Sequence, residues 1–153
     1  MVSDILLTLF LVALNGLFVA AEFAIVKVRA SQVETKYLSG NRFAKNALKI
    51  INNLDAYLSA TQLGITLASL GLGWVGEPIV AKIIANILEF FQISISETLL
   101  HQISLVAAFS LITVLHIVFG ELAPKSLAIR YPDRTTMLLA MPLQGFYLVF
   151  KTF

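Results

Sequence analysis

The chain has 153 residues, 58% of them hydrophobic and 13% charged, with a net charge of +2. Soluble domains carry about 25% charged residues, so this is a membrane composition with room for only a few spans. Cysteine is absent, which excludes disulfides, thiolate metal centres and cysteine nucleophiles, and His101 and His116 are too few for a zinc cluster of the usual kind.

The first predicted element is the apolar run from Ile5 to Val26. A secretory leader has a positive start and a shorter apolar core. Here the start carries Asp4, and the run is long enough to cross a hydrocarbon core about 30 Å thick. It is read as a retained span. Asn15 and Glu22 lie two turns apart on one side of it. Asn15 is expected to bond a neighbouring helix or to line a substrate path. Glu22 is expected near the membrane surface, beside Lys27 or Arg29.

Residues 30–53 follow as a loop with helical periodicity. Val33 and Tyr37 form one stripe, Ala44, Leu48 and Ile51 another, and Gly40-Asn41 signals the turn between them. A helical hairpin beneath the membrane is expected. The second span is expected from Asp55, its N-cap, to Gly73. Gly71, Gly73, Gly76 and Pro78 then interrupt the pattern, and residues 79–91 form a helical extension. Ser59, Gln62, Thr66 and Ser69 fall within an arc of about 80° at 100° per residue. They make a polar stripe on an apolar helix, either a packing seam or part of an ion path.

The third span is expected over 97–120, opened by the capping pattern Ser94-Ile95-Ser96-Glu97. It carries His116 and ends in Phe119-Gly120-Glu121-Leu122-Ala123-Pro124-Lys125. Proline cannot donate to the carbonyl four residues back, which here is that of Gly120. A freed carbonyl beside a carboxylate at membrane depth needs a partner, and hard oxygens suit Mg²⁺, Ca²⁺ or Na⁺. The alternative is a loop carboxylate paired with Lys125. The tail from Asp133 to Phe153 is expected as a juxtamembrane helix kinked at Pro142.

Charge sets the orientation. Lys27, Arg29, Lys36, Arg42, Lys45 and Lys49 surround the hairpin, and Lys125, Arg130, Arg134 and Lys151 follow the third span, whereas Lys82 is alone between the second and third. The positive-inside rule places hairpin and tail in the cytoplasm and the N-terminus outside. The result is an all-α membrane protein of three spans, with no nucleic-acid surface and no nucleophile–base pair to suggest an enzyme.

Three stretches resemble the transmembrane domain of the CNNM/CorC magnesium transporters, whose bacterial members are often labelled hemolysin-like. They are Asn15-Gly16-Leu17-Phe18-Val19-Ala20-Ala21-Glu22, Leu58-Ser59-Ala60-Thr61-Gln62-Leu63-Gly64-Ile65-Thr66, and Phe119 to Lys125. The resemblance implies a homodimer in the cell membrane, with an inward-open cavity for a largely dehydrated Mg²⁺ and export coupled to Na⁺. It also implies a following pair of CBS domains that can bind ATP or a related nucleotide. Where well-known members have serines this chain has Val19 and Ala21, and where many have asparagines it has Ile65, Thr66 and Ser69. The expected ion ligands are therefore Glu121, Gly120, Ser69, Thr66, Ser59 and Asn15, with Gln62 and His116 behind them. The competing expectation is a non-transporting anchor and sensor scaffold for the cytoplasmic domains.

Overall fold

A proline-free apolar run makes helix α1, Val2–Lys27, in a computed structural model that describes residues 2–93 and 96–151. The backbone turns extended at Arg29 and re-enters helix as α2, Ala30–Leu38. Gly40 adopts φ 91°, a left-handed conformation that glycine takes without steric cost, and so reverses the chain. Asn41 then caps α3, Arg42–Ile51, its side-chain oxygen accepting from the Phe43 N–H at 3.0 Å. The buried edge of this hairpin is Val33 with Ala44, Ala47 and Ile50, while Tyr37 is exposed and Leu48 and Ile51 only flank the edge. Small residues at three-residue steps let α3 lie close to its neighbours, and the bulkier pair fills the rim.

Helix α4 runs unbroken from Leu54 to Phe90. Asn53 precedes it, and Asp55 lies in its first turn rather than capping it. The expected interruption at Gly73–Pro78 does not occur. Proline removes one hydrogen bond, that to the Trp74 carbonyl, and Trp74 and Pro78 are both exposed. Helix α5, Glu97–Leu115, begins behind Ser96, which accepts from the Leu99 N–H at 3.3 Å. Ser94 and Ile95, the other part of the expected capping pattern, lie outside the described residues.

The third span does not stop at Gly120 either. It continues as a π segment, His116–Leu122, and then as α6, Ala123–Arg130. Pro132 at the first turn opens α7, Pro132–Phe150, which also stays helical through the exposed Pro142.

Among the described residues, three helical stretches are long and apolar enough to cross a membrane: Val2–Lys27, Leu54–Phe90 and Glu97–Arg130. Helix α1 is the hub, packed against α4, α6, α7 and the π segment. Between apolar helices in lipid, close packing of small side chains replaces the hydrophobic drive. Ala20 and Ala24 of α1 meet Ala128 of α6 in this way, and the Phe18 ring lies flat over Gly64. At the hairpin end α7 closes the bundle. Phe146 meets Phe18 edge-on at 4.7 Å, Tyr147 meets Tyr57 at 4.6 Å, and Gln144 Nε2 donates to the Asn46 carbonyl at 3.0 Å. Lys36 of α2 pairs with Asp133 at the start of α7. That hydrogen bond holds the Asp133 carboxyl below the usual carboxylate range.

Candidate functional site

The π segment places the site. In an α-helix the carbonyl of Gly120 would wait for a donor at Pro124, which has none. Here the Ala123 N–H bonds back to the Val118 carbonyl, five residues away, and the turn widens. Pro124 thereby stays inside a continuous helix. Its ring packs on α1 at Gly16, where a Cβ would lie 2.9 Å from Pro124 Cγ and 3.1 Å from the Phe119 carbonyl oxygen. No side chain fits there.

The carbonyl freed at Gly120 has a partner. Asn15, 0% exposed in the middle of α1, donates from Nδ2 to it at 3.0 Å. The Asn15 Oδ1 in turn accepts from Ser69 Oγ of α4 at 3.1 Å. One relay, Ser69 to Asn15 to Gly120, thus ties the three spans together at one level. A carbonyl has two lone pairs, so the Gly120 oxygen keeps one acceptor position beyond Asn15. A Cβ on Gly120 would lie 3.0 Å from Asn15 Nδ2, so the glycine makes room for the donor.

The same widened turn pairs His116 with Glu121. Residues five apart lie about 140° apart around an α-helix and do not meet. In a π turn they stack, and His116 Nε2 lies 3.3 Å from Glu121 Oε1. The Glu121 side chain is 50% exposed and that of His116 21%. His116 Nδ1 is buried without a hydrogen-bond partner, on the side of Gly120. Lys125, the alternative partner for Glu121, instead holds its ammonium 4.5 Å above the Phe23 ring.

The expected ligand set therefore divides. Gly120, Asn15 and Ser69 are joined by hydrogen bonds, and His116 and Glu121 adjoin them on the π segment. Ser59, Gln62 and Thr66 are exposed on α4. Ser59 Oγ donates to the Asp55 carbonyl at 3.0 Å and Thr66 Oγ1 to the Gln62 carbonyl at 2.9 Å, both within their own helix. Val19 is buried in the core and Ile65 half-buried.

A cavity of about 200 Å³ opens beside this relay, lined by Ser69, Glu77, Thr113 and His116 among apolar side chains. Glu77 is the residue that sequence reasoning passed over. Its signal was present: a Gly-Glu pair, Gly76-Glu77, stands immediately before Pro78, as Gly120-Glu121 stands a turn before Pro124. Among the described residues, no three His, Asp or Glu side chains gather closely enough to hold a metal ion. A hard cation at Glu121 would complete its shell with carbonyl, hydroxyl and water oxygens.

Residues 6–153 match the family model described as the cyclin M (CNNM) transmembrane N-terminal domain. The chain is 47% identical over 143 residues to the UPF0053 protein YrkA of Bacillus subtilis, covering 94% of this chain and 32% of that protein. It is 43% identical over 152 residues to the UPF0053 protein YhdT of the same organism, covering 99% and 32%. A third relative there, the UPF0053 protein YugS, is 46% identical over 137 residues, covering 90% and 32%. The chain thus spans about a third of the length of these curated relatives.

Proposed function

The chain belongs to the cyclin M transmembrane family, and on that premise we propose that it is the membrane part of a divalent-cation transporter, with Mg²⁺ as cargo and a Na⁺ gradient as the coupled force. The observation that carries this reading is the placement of Glu121. A carboxylate on a spanning helix is expensive in lipid and marks an ion path by default. Here it stands half-exposed on a widened turn, beside a carbonyl with a spare lone pair, and its neighbour at 3.3 Å is a histidine rather than Lys125.

The roles follow from chemistry. Glu121 supplies the charge and the Gly120 carbonyl a neutral oxygen. Asn15 fixes that carbonyl in direction, and Ser69 fixes Asn15. His116 Nε2 stands 3.3 Å from Glu121 Oε1, a contact that a cation on the carboxylate would displace. With few protein oxygens available, Mg²⁺ keeps several waters, as it commonly does.

Ser59, Gln62 and Thr66 continue the stripe of Ser69 but are exposed and take no part in the relay. In a homodimer a second copy covers them, and those hydroxyls and the amide approach the path from there. Lysine and arginine placement puts the hairpin and α7 in the cytoplasm of a cell-membrane protein. The reading extends to nucleotide control through CBS domains, for which the two thirds of its relatives' length that this chain does not span leave room.

One observation favours a second reading. Asn15 already satisfies the freed Gly120 carbonyl without an ion. A bundle closed in this way would suit an anchor and sensor scaffold for cytoplasmic domains. Mg²⁺ flux in liposomes separates the two. Transport requires Mg²⁺ movement that follows an imposed Na⁺ gradient, and a scaffold gives none above empty liposomes.

A further inference from the structure

Two cavities lie between α4 and α5, and Glu77 lines both. The first, with Ser69, Thr113 and His116, adjoins the relay. The second, about 400 Å³, lies farther from the hairpin and is lined by Glu77, Lys82, Glu97, His101 and Ser104 among apolar side chains. At 1.5 Å per residue, Glu77 stands about 12 Å along α4 beyond Ser69, so the cavities follow one another along the bundle.

Ser104 is the informative wall of the second cavity. It is 2% exposed, and its Oγ has no hydrogen-bond partner. A buried polar group left without a partner is a cost that proteins rarely carry without a reason. Two carboxylates, Glu77 and Glu97, share this cavity with one ammonium, that of Lys82, so its formal balance is negative.

Volume indicates the state of the occupant. Water takes about 30 Å³ per molecule, so a six-water shell needs roughly 180 Å³. A fully hydrated divalent ion fits the larger cavity with room to spare and the smaller one only just.

We propose that the larger cavity is a second cation site, which takes a hydrated divalent cation with Glu77 and Glu97 as carboxylate ligands and the Ser104 hydroxyl as a neutral one. Glu77 passes the ion between this site and the chamber beside His116. That handover rests on the transport reading; the binding itself does not.

Trp74, the chain's single tryptophan, is one turn before Glu77 and 85% exposed, so it reports on this cavity. The test is quenching of its fluorescence by paramagnetic Mn²⁺ in the protein reconstituted with zwitterionic lipid, with Mg²⁺ as competitor. The expected result is saturable quenching that Mg²⁺ reverses. Glu77→Gln and Glu97→Gln raise the Mn²⁺ midpoint about tenfold or more, on the scale of losing support for a metal site. Glu121→Gln leaves that midpoint unchanged. Ser104→Ala serves where a carboxylate variant fails to fold. It removes an unpaired buried hydroxyl, so the ion-free protein becomes no less stable while Mn²⁺ binding weakens. A merely structural Ser104 would leave the quenching where it was. Absence of saturable quenching, or quenching indifferent to both Glu77→Gln and Ser104→Ala, overturns the site. Quenching that responds to Glu77→Gln in a protein without Mg²⁺ flux sinks the transport reading and leaves the site standing.

Discussion

Gly120-Glu121 ahead of Pro124 and Gly76-Glu77 ahead of Pro78 use the same residue types, and the two helices answer the proline differently. At Pro124 the helix widens into a π turn, and a buried asparagine from α1 takes the released carbonyl. At Pro78 the helix stays α, and the residue whose carbonyl loses its donor, Trp74, faces outward. The difference is the neighbourhood. Pro124 is pressed against Gly16, so the freed group must be satisfied from within the protein. Pro78 is exposed at the edge of the cavity between α4 and α5, and its helix goes without one bond. A proline in a span thus makes a functional geometry only where packing forces the backbone to rearrange around it.

The largest effect expected from breaking this contrast is at Asn15. Asn15→Leu leaves the Gly120 carbonyl and the Ser69 hydroxyl without their partner, at roughly 1–3 kcal/mol for each buried group. A loss of about 3 kcal/mol in unfolding free energy, measured by denaturant titration in detergent, is the expected outcome. Next come the two prolines compared directly. Pro78→Ala restores a hydrogen bond and should stabilise by about 2 kcal/mol, since proline is about 3 kcal/mol worse than alanine in a helix interior. Pro124→Ala should gain less, because the ring's packing on Gly16 is lost with it. Equal gains at both positions would dissolve the comparison.

A double-mutant cycle sharpens it. With Pro124→Ala in place, residue 124 has an N–H to offer, and Asn15→Leu should cost about 1 kcal/mol less than in the parent, a coupling typical of residues sharing one hydrogen-bond network. The smallest effect lies away from both prolines, at the hairpin end. The folded pKa of Asp133 is lowered from 3.8, so its pairing with Lys36 contributes in full above that value and is lost as pH falls through the lowered one. The pair is partly exposed, and its contribution is at most about 1 kcal/mol. Asp133→Asn should remove that part of the acid sensitivity in thermal melts and change little at pH 2.

The sequence carried the class of the fold and the position of the Gly120 carbonyl on which the candidate site is built. Apolar run lengths and the distribution of lysine and arginine are local signals, and the three candidate spans and the helical 30–53 hairpin were readable from them. Pro124 marked the Gly120 carbonyl because a missing donor is a fact of covalent structure. What the chain did not disclose was who answers that carbonyl. Asn15 is distant in sequence, and its reach to Gly120 depends on Gly16 letting α1 approach Pro124. His116 and Glu121 looked unrelated because five residues is the wrong interval for an α-helix, and only the π turn brings them together. The polar stripe on α4 was legible as a stripe, yet periodicity does not say which neighbour a face meets. It points Ser69 inward and leaves Ser59, Gln62 and Thr66 outside. Glu77 was hidden by its context, since a cluster of glycines before a proline reads as a loop, and α4 runs straight through it.

The most direct test of the account is Mg²⁺ flux through the protein in liposomes, comparing the parent with Glu121→Gln at equal incorporation. The substitution keeps the shape of the side chain while removing the charge. The account predicts that flux under a Na⁺ gradient falls at least about tenfold, the scale on which metal sites lose affinity when their ligand environment is disturbed. Equal flux from the two proteins would contradict it.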